Sequence, residues 1–167
     1  MPSKLPSILI GALIYAVVGA IGGVLSVAGG GMQYVGGALG CLAMIFGAAG
    51  AVWHYTSTHR LTLPAGPGAA LGAGAGALGA LISWALTWVL TTTGIMPDPM
   101  EAARRQLEGQ GMSEEQIEAA MQMTEMFSGP LGVVVGLGIG ALIGAVVGAI
   151  AALVFKKGEA DAGLEGY

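Results

Sequence analysis

Apolar positions along the chain gather into four long runs separated by polar punctuation. The runs cover about 5–27, 34–53, 67–91 and 130–155, and none of the chain's charged residues falls inside them. Crossing about 30 Å of hydrocarbon takes about 20 apolar residues in a helix. A charge placed near the bilayer centre costs about 2.5–3.5 kcal/mol on insertion scales. The pattern therefore predicts four transmembrane helices.

Between the third and fourth runs, residues 94–129 are polar and carry helix signals of their own. Asp98-Pro99-Met100-Glu101 offers an N-cap, a proline at the first helical position and an acid at N3. Ser113-Glu114-Glu115-Gln116 is a capping box, with Met112 placed to staple onto Ile117. The first short helix is expected to end near Gly109 to Gly111. The second runs to about Phe127 and stops at Gly129-Pro130. Its Ile117, Ala120, Met121, Thr124 and Phe127 share one face, while Glu114, Glu115, Glu118 and Glu125 cover much of the rest. Ile117, Met121, Thr124 and Phe127 are thus candidates to meet a partner or to lie on the rim of the bundle. The predicted fold class is all-α, an integral membrane bundle of four transmembrane helices with an extramembrane helical hairpin between spans three and four. Residues 1–157 form one domain, followed by a short polar tail, 158–167, expected to be flexible and cytoplasmic.

Composition narrows the class further. Of 167 residues, 54% are hydrophobic and 10% charged, against about 25% charged in soluble domains. That excludes a disordered chain and an ordinary soluble globule. The net charge is −4 and no basic run exists, so nucleic acid is not an expected partner. Glycine contributes 31 residues, well above its usual share of about 7%, without the period of collagen. Gly132, Gly136, Gly140, Gly144 and Gly148 recur every fourth residue of the last span. Gly68, Gly72 and Gly76 do so in the third, followed by Ala80. The first span has Gly11, Gly19 and Gly23, with Tyr15 at the missing step, and the second has Gly36 and Gly40. Spacing of four places each set on one helical stripe, and stripes without side chains let backbones approach closely in lipid. The stripes pack the four helices within one chain, or one of them, on the last span, faces another subunit. Expected partners are membrane lipid, and either further copies of the chain or subunits of a larger membrane complex.

Lysine and arginine set the orientation. Lys4, Arg60, Lys156 and Lys157 fall on one side of a four-span chain and Arg104 and Arg105 on the other, which predicts both termini on the cytoplasmic side. Trp53 and Tyr55, and Trp84 and Trp88, are placed for the two interfaces. A cleaved signal peptide is the rival reading of the first span, since small residues flank Val27 at Ser26 and Ala28. Its apolar run exceeds the 7–15 residues of such segments. Residues 10–21 and 139–150 match at all but one position, where Tyr15 stands against Gly144. Internal duplication, as in repeat-built transporters, competes with convergence on a small apolar alphabet.

Candidate chemistry is sparse. The spans hold Ser26, Ser83, Thr87, Tyr15 and Tyr34 without an evident His or carboxylate beside them. No nucleophile elbow, metalloprotease helix or P-loop occurs. His54 and His59 are expected in a loop beside Arg60, as polar interface residues. Cys41, the single cysteine, is expected to be buried and inert. No catalytic residue, cofactor or metal is predicted.

The second half of the chain carries a resemblance. The Pro97-Asp98-Pro99 turn, the charged helix from Glu101 to Gly111, and Gly111-Met112-Ser113-Glu114-Glu115-Gln116-Ile117-Glu118-Ala119-Ala120-Met121 are similar to the bacterial membrane family called domain of unknown function 4199. The match continues through Met123, Glu125 and Phe127 to Pro130, the final span and a lysine pair, covering 97–157. It implies a four-helix membrane architecture and brings no activity or catalytic residues. The expected function is a non-enzymatic structural or accessory subunit packing through glycine-striped helices. The alternative is a small transporter or a channel-like oligomer.

Overall fold

The computed structural model describes residues 2–27 and 31–155. The lysine pair at 156–157 and the tail at 158–167 lie outside that range. Six helices and no strand occur among the described residues: α1 (Leu5–Val27), α2 (Met32–His59), α3 (Ala65–Thr92), α4 (Pro99–Gly109), α5 (Glu114–Ser128) and α6 (Pro130–Val154). Four of them, α1, α2, α3 and α6, are long and apolar enough to cross a membrane.

These four run alternately up and down. Helix α1 packs on α2 and α3, α6 packs on α3 and α2, and α2 meets α3 across the middle. The bundle therefore has a terminal end, where α1 starts and α6 stops, and a hairpin end, where α4 and α5 emerge. A solid apolar core fills the terminal end. Val52, Tyr55, Leu63, Leu71, Ala151 and Ala152 are buried together, with Ile8, Ala49 and Phe155 packed around them. The outward faces are apolar as well, as at Leu142 (69% exposed), Ile150, Leu13 and Val17. So large an apolar belt is foreign to a water-facing protein and matches a hydrocarbon surround.

Helix α2 outruns its apolar stretch. The hydropathy signal fades at Trp53, yet the helix continues to His59, because no glycine or proline interrupts it and Tyr55 and Thr56 are fully buried. It stops where Arg60 turns left-handed (φ 50°) and donates its N–H to Thr56 O, an end of the kind that satisfies a last-turn carbonyl. His54 and His59 thus lie on a helix, not in the expected loop. Helix α3 likewise starts at Ala65, ahead of the expected 67. Pro67 is tolerated there because first-turn N–H groups have no partner within the helix.

The hairpin follows its caps closely. Asp98 Oδ1 accepts the N–H of Met100 at 2.7 Å. In the capping box, Ser113 Oγ accepts from Gln116 N and Gln116 Oε1 accepts from Ser113 N at 3.1 Å. Arg104–Glu108 and Arg105–Glu101 are ion pairs one turn apart on the open face of α4, each contributing only a few tenths of a kcal/mol (roughly 0.3–0.5).

Candidate functional site

Glycine determines where backbones touch. On α3 and α6, three glycines face three in antiparallel register: Gly68 with Gly148, Gly72 with Gly144, Gly76 with Gly140. A methyl group added at Gly68 would meet Gly148 O at 2.7 Å, and one at Gly140 would meet Gly76 O at 2.8 Å. The other members of the set are tighter still, each against the partner's carbonyl. Only glycine permits this approach, since real side chains never come so near a backbone oxygen. The stripe of α6 is thus occupied over these three steps by α3 of the same chain.

The stripe is not uniform along its length. Ala80 Cβ stands 3.3 Å from the Cβ position of Gly140, and at Gly136 nothing lies within 4 Å. The glycine ladder of α3 ends at Gly76, while that of α6 continues. At the step where a further glycine would face Gly132, α3 carries Trp84. Trp84, Gly132 and Gly136 all line a crevice there.

The first two helices pair glycines that spacing singled out, Gly11 and Gly36, with two that it did not, Gly47 and Gly22. Gly22 faces Gly36, with the carbonyl of each against the other, and Gly11 faces Gly47. Gly79, also unflagged, receives the Tyr15 ring, so a side chain at 79 would overlap it. The expected packing positions Gly19 and Gly23 have only ordinary neighbours, Ser83 Oγ at 3.7 Å and Met96 Cε at 3.7 Å. The α1–α2 contact line runs one position to their side, through Gly22. A sequence search for facing glycines in antiparallel register would have found the Gly11–Gly47 and Gly22–Gly36 pairs.

Polar groups collect at the terminal end. Ser7, only 1% exposed, lies with its Oγ 2.9 Å from His54 Nδ1. His54 Nε2 faces Thr58 Oγ1 at 3.5 Å. Tyr55 donates from its hydroxyl to Pro2 O at 3.3 Å, and its ring meets His59 edge-on. These links fasten the start of α1 to the last turns of α2. The Ser7–His54 pair escaped the sequence reading because α2 appeared to end before His54. All carboxylates of the described residues lie between Asp98 and Glu125, in the hairpin segment at the far end of the bundle. No group of three His, Cys, Asp or Glu placed to hold a metal occurs among the described residues. Cys41 is exposed, contrary to the burial expected for it. It lies off the line of Gly36, Ala43, Gly47 and Ala51 that α2 buries.

In the hairpin, Ile117 is 7% exposed and is therefore not open to a partner. Helices α4 and α5 fold against each other, and Ile117 lines the cleft with Arg104, Glu118 and Met121. Met121 and Thr124 are half-buried. The side chain of Phe127 is outside the described residues.

The model of the family described as "Protein of unknown function (DUF4199)" matches residues 8–157, and the chain belongs to that family. The match reaches back through the first two spans, beyond the stretch that carried the resemblance. No curated protein and no solved structure matches the chain.

Proposed function

We propose that the protein is a non-enzymatic structural or accessory subunit of a bacterial inner membrane, with both termini cytoplasmic and the α4–α5 hairpin outside. One observation carries the reading. The interior contacts of the bundle are backbone against backbone at five glycine pairs, which makes a stiff scaffold, while the acidic face of α5 (Glu114, Glu115, Glu118 and Glu125) stands exposed above it. A scaffold of this kind holds a recognition element at a fixed height over the membrane. The glycine ladder of α6 is consumed inside the chain over its three tight steps. Association with another subunit therefore runs through the hairpin or the lipid-facing flanks, with membrane lipid around the rest.

Gentle extraction of the tagged protein from its own membrane, followed by mass analysis of the intact particle, tests this. The expected result is a particle containing unrelated subunits in fixed proportion. A bare monomer, or a ring of identical chains around a solvated path, would contradict it and turn attention to the transporter or channel reading.

A further inference from the structure

Helix α6 divides at Gly140. From there to its end it has five buried residues, Gly140, Gly144, Gly148, Ala151 and Ala152. Over its first ten residues, 130–139, it has none. Gly132, Gly136 and Gly138 fall in that first part, and glycine disfavours a helix more than any residue but proline. The hairpin rests on this loosely held end. Helix α4 packs on α5 and α5 on α6, with no comparable contact to α1, α2 or α3, and α5 joins α6 through the single residue Gly129. The hairpin and residues 130–139 therefore make one arm.

Space lies beside the arm. A crevice of about 260 Å³ lies among Gly132 and Gly136 of α6 and Ala80 and Trp84 of α3, with Tyr15 and Met44 also lining it. The antiparallel register that pairs Gly76 with Gly140 assigns Ala80 to Gly136 and Trp84 to Gly132. Ala80 is small, yet nothing lies within 4 Å of the Cβ position of Gly136. The ladder thus stops one step before its residues require. Nor does the indole bar the step after that. The ring of Tyr15 already lies over bare Gly79 in this bundle, and Trp84 over Gly132 is the same kind of arrangement. Trp84 is 49% exposed and has that surface to bury. Unfilled space beside a helix forfeits dispersion contacts, and close approach of small residues is how helices in lipid gain them.

We infer that the arm is a latch, which pivots between Gly138 and Gly140 from the open position of this structure to a closed one. In the closed position Gly136 meets Ala80, the Trp84 ring covers Gly132 and the crevice is gone. The swing is sideways, toward α3, so the hairpin keeps its height over the membrane while moving across the bundle. Residues 93–98 tether its other end, with Met96 beside Gly23 of α1. Closing breaks little, because residues 130–139 include no buried side chain. A partner that binds the hairpin more tightly in one position shifts the balance toward it. The latch goes beyond the accessory-subunit reading and stands without it.

Spin-label distances in a lipid bilayer test it, on the full chain with Cys41→Ser. One label sits at Val17→Cys on α1. The other sits at Leu131→Cys in the arm, or at Leu142→Cys in the locked part of α6; all three positions are exposed. The pair 17–131 should give two resolved distances and the pair 17–142 a single one. Gly136→Leu fills the crevice, so the shorter of the two distances should be lost and the longer kept. A single distance for 17–131, as narrow as that for 17–142, would overturn the proposal, and that result needs no variant in the crevice. Two distances that persist unchanged in Gly136→Leu would overturn it too, and assign the spread to fraying at the start of α6.

Discussion

Gly72 of α3 and Gly144 of α6 fill each other's missing side-chain space: a Cβ built on either would run into the other's carbonyl oxygen. The pair sits midway between Gly68–Gly148 and Gly76–Gly140, so about two turns of helix are in backbone contact. In lipid, where expulsion of water gives little drive, this closeness is a main source of helix association. Each facing pair is also the arrangement in which weak Cα–H···O contacts form. The same logic joins α1 to α2 at Gly11–Gly47 and Gly22–Gly36. Predictions follow from where these contacts are tight, where they loosen and what lies at each end.

The α1–α2 register should be readable by cross-linking. A Cβ at Gly19 would lie 3.9 Å from Ala43 Cβ and clash with nothing, within the range that a disulfide requires. In a Cys41→Ser background, Gly19→Cys with Ala43→Cys should oxidise to a species of unchanged mass on a denaturing gel. A band at twice the mass would place these helices between chains instead.

At the terminal end, Ser7→Ala leaves His54 Nδ1 without its partner. We expect a loss of about 1 kcal/mol in unfolding free energy, the usual net value of one hydrogen bond. A double-mutant cycle with His54→Leu should give a coupling of similar size. Additive losses would mean that the two side chains do not interact.

Hairpin stability should be separable from bundle stability. Ser113→Ala removes the side-chain half of the capping box, a change that typically costs about 1 kcal/mol. Hydrogen exchange should speed up at the first amides of α5 and stay unchanged at Leu71 and Ala75 in the buried part of α3. Equal acceleration in both would show that hairpin and bundle unfold as one unit.

Orientation is open to chemical labelling. Gln122 is exposed on α5, and Gln122→Cys in the Cys41→Ser background should react with a membrane-impermeant thiol reagent in intact cells. Reaction only after lysis would reverse the topology proposed above.

Much of this architecture was legible because it rests on signals of single residues or runs. The spans followed from uncharged length, and both hairpin helices from Asp98, Pro99 and the Ser113–Gln116 box. What was not legible depends on pairing. Gly22 and Gly79 look like any other glycine until α2 and Tyr15 are placed against them. Gly136 continues the α6 ladder in sequence, yet nothing lies within 4 Å of its Cβ position, although the small Ala80 is the next residue of α3 in the register. The matching segments 10–21 and 139–150 make the point sharply. Their one difference, Tyr15 for Gly144, puts a ring over Gly79 in one helix and a bare backbone against Gly72 in the other. His54 and Cys41 were misplaced for a simpler reason. Hydropathy marks where a helix leaves the apolar region, not where it ends or which face it turns inward.

The central claim is that α6 is held by α3 through Gly140, Gly144 and Gly148 and by nothing at Gly136 or Gly138. Its most direct test is a glycine-to-alanine scan along α6, read as thermal unfolding of each purified variant in detergent. Gly140→Ala, Gly144→Ala and Gly148→Ala should each lose about 1–3 kcal/mol, the usual cost of forcing a methyl group into a filled contact. Gly136→Ala and Gly138→Ala, with nothing within 4 Å of either Cβ position, should stay within about 0.5 kcal/mol of the parent or gain slightly from helix propensity. A flat profile, or losses centred on Gly136 and Gly138, would contradict the account and put a different face of α6 against its neighbour.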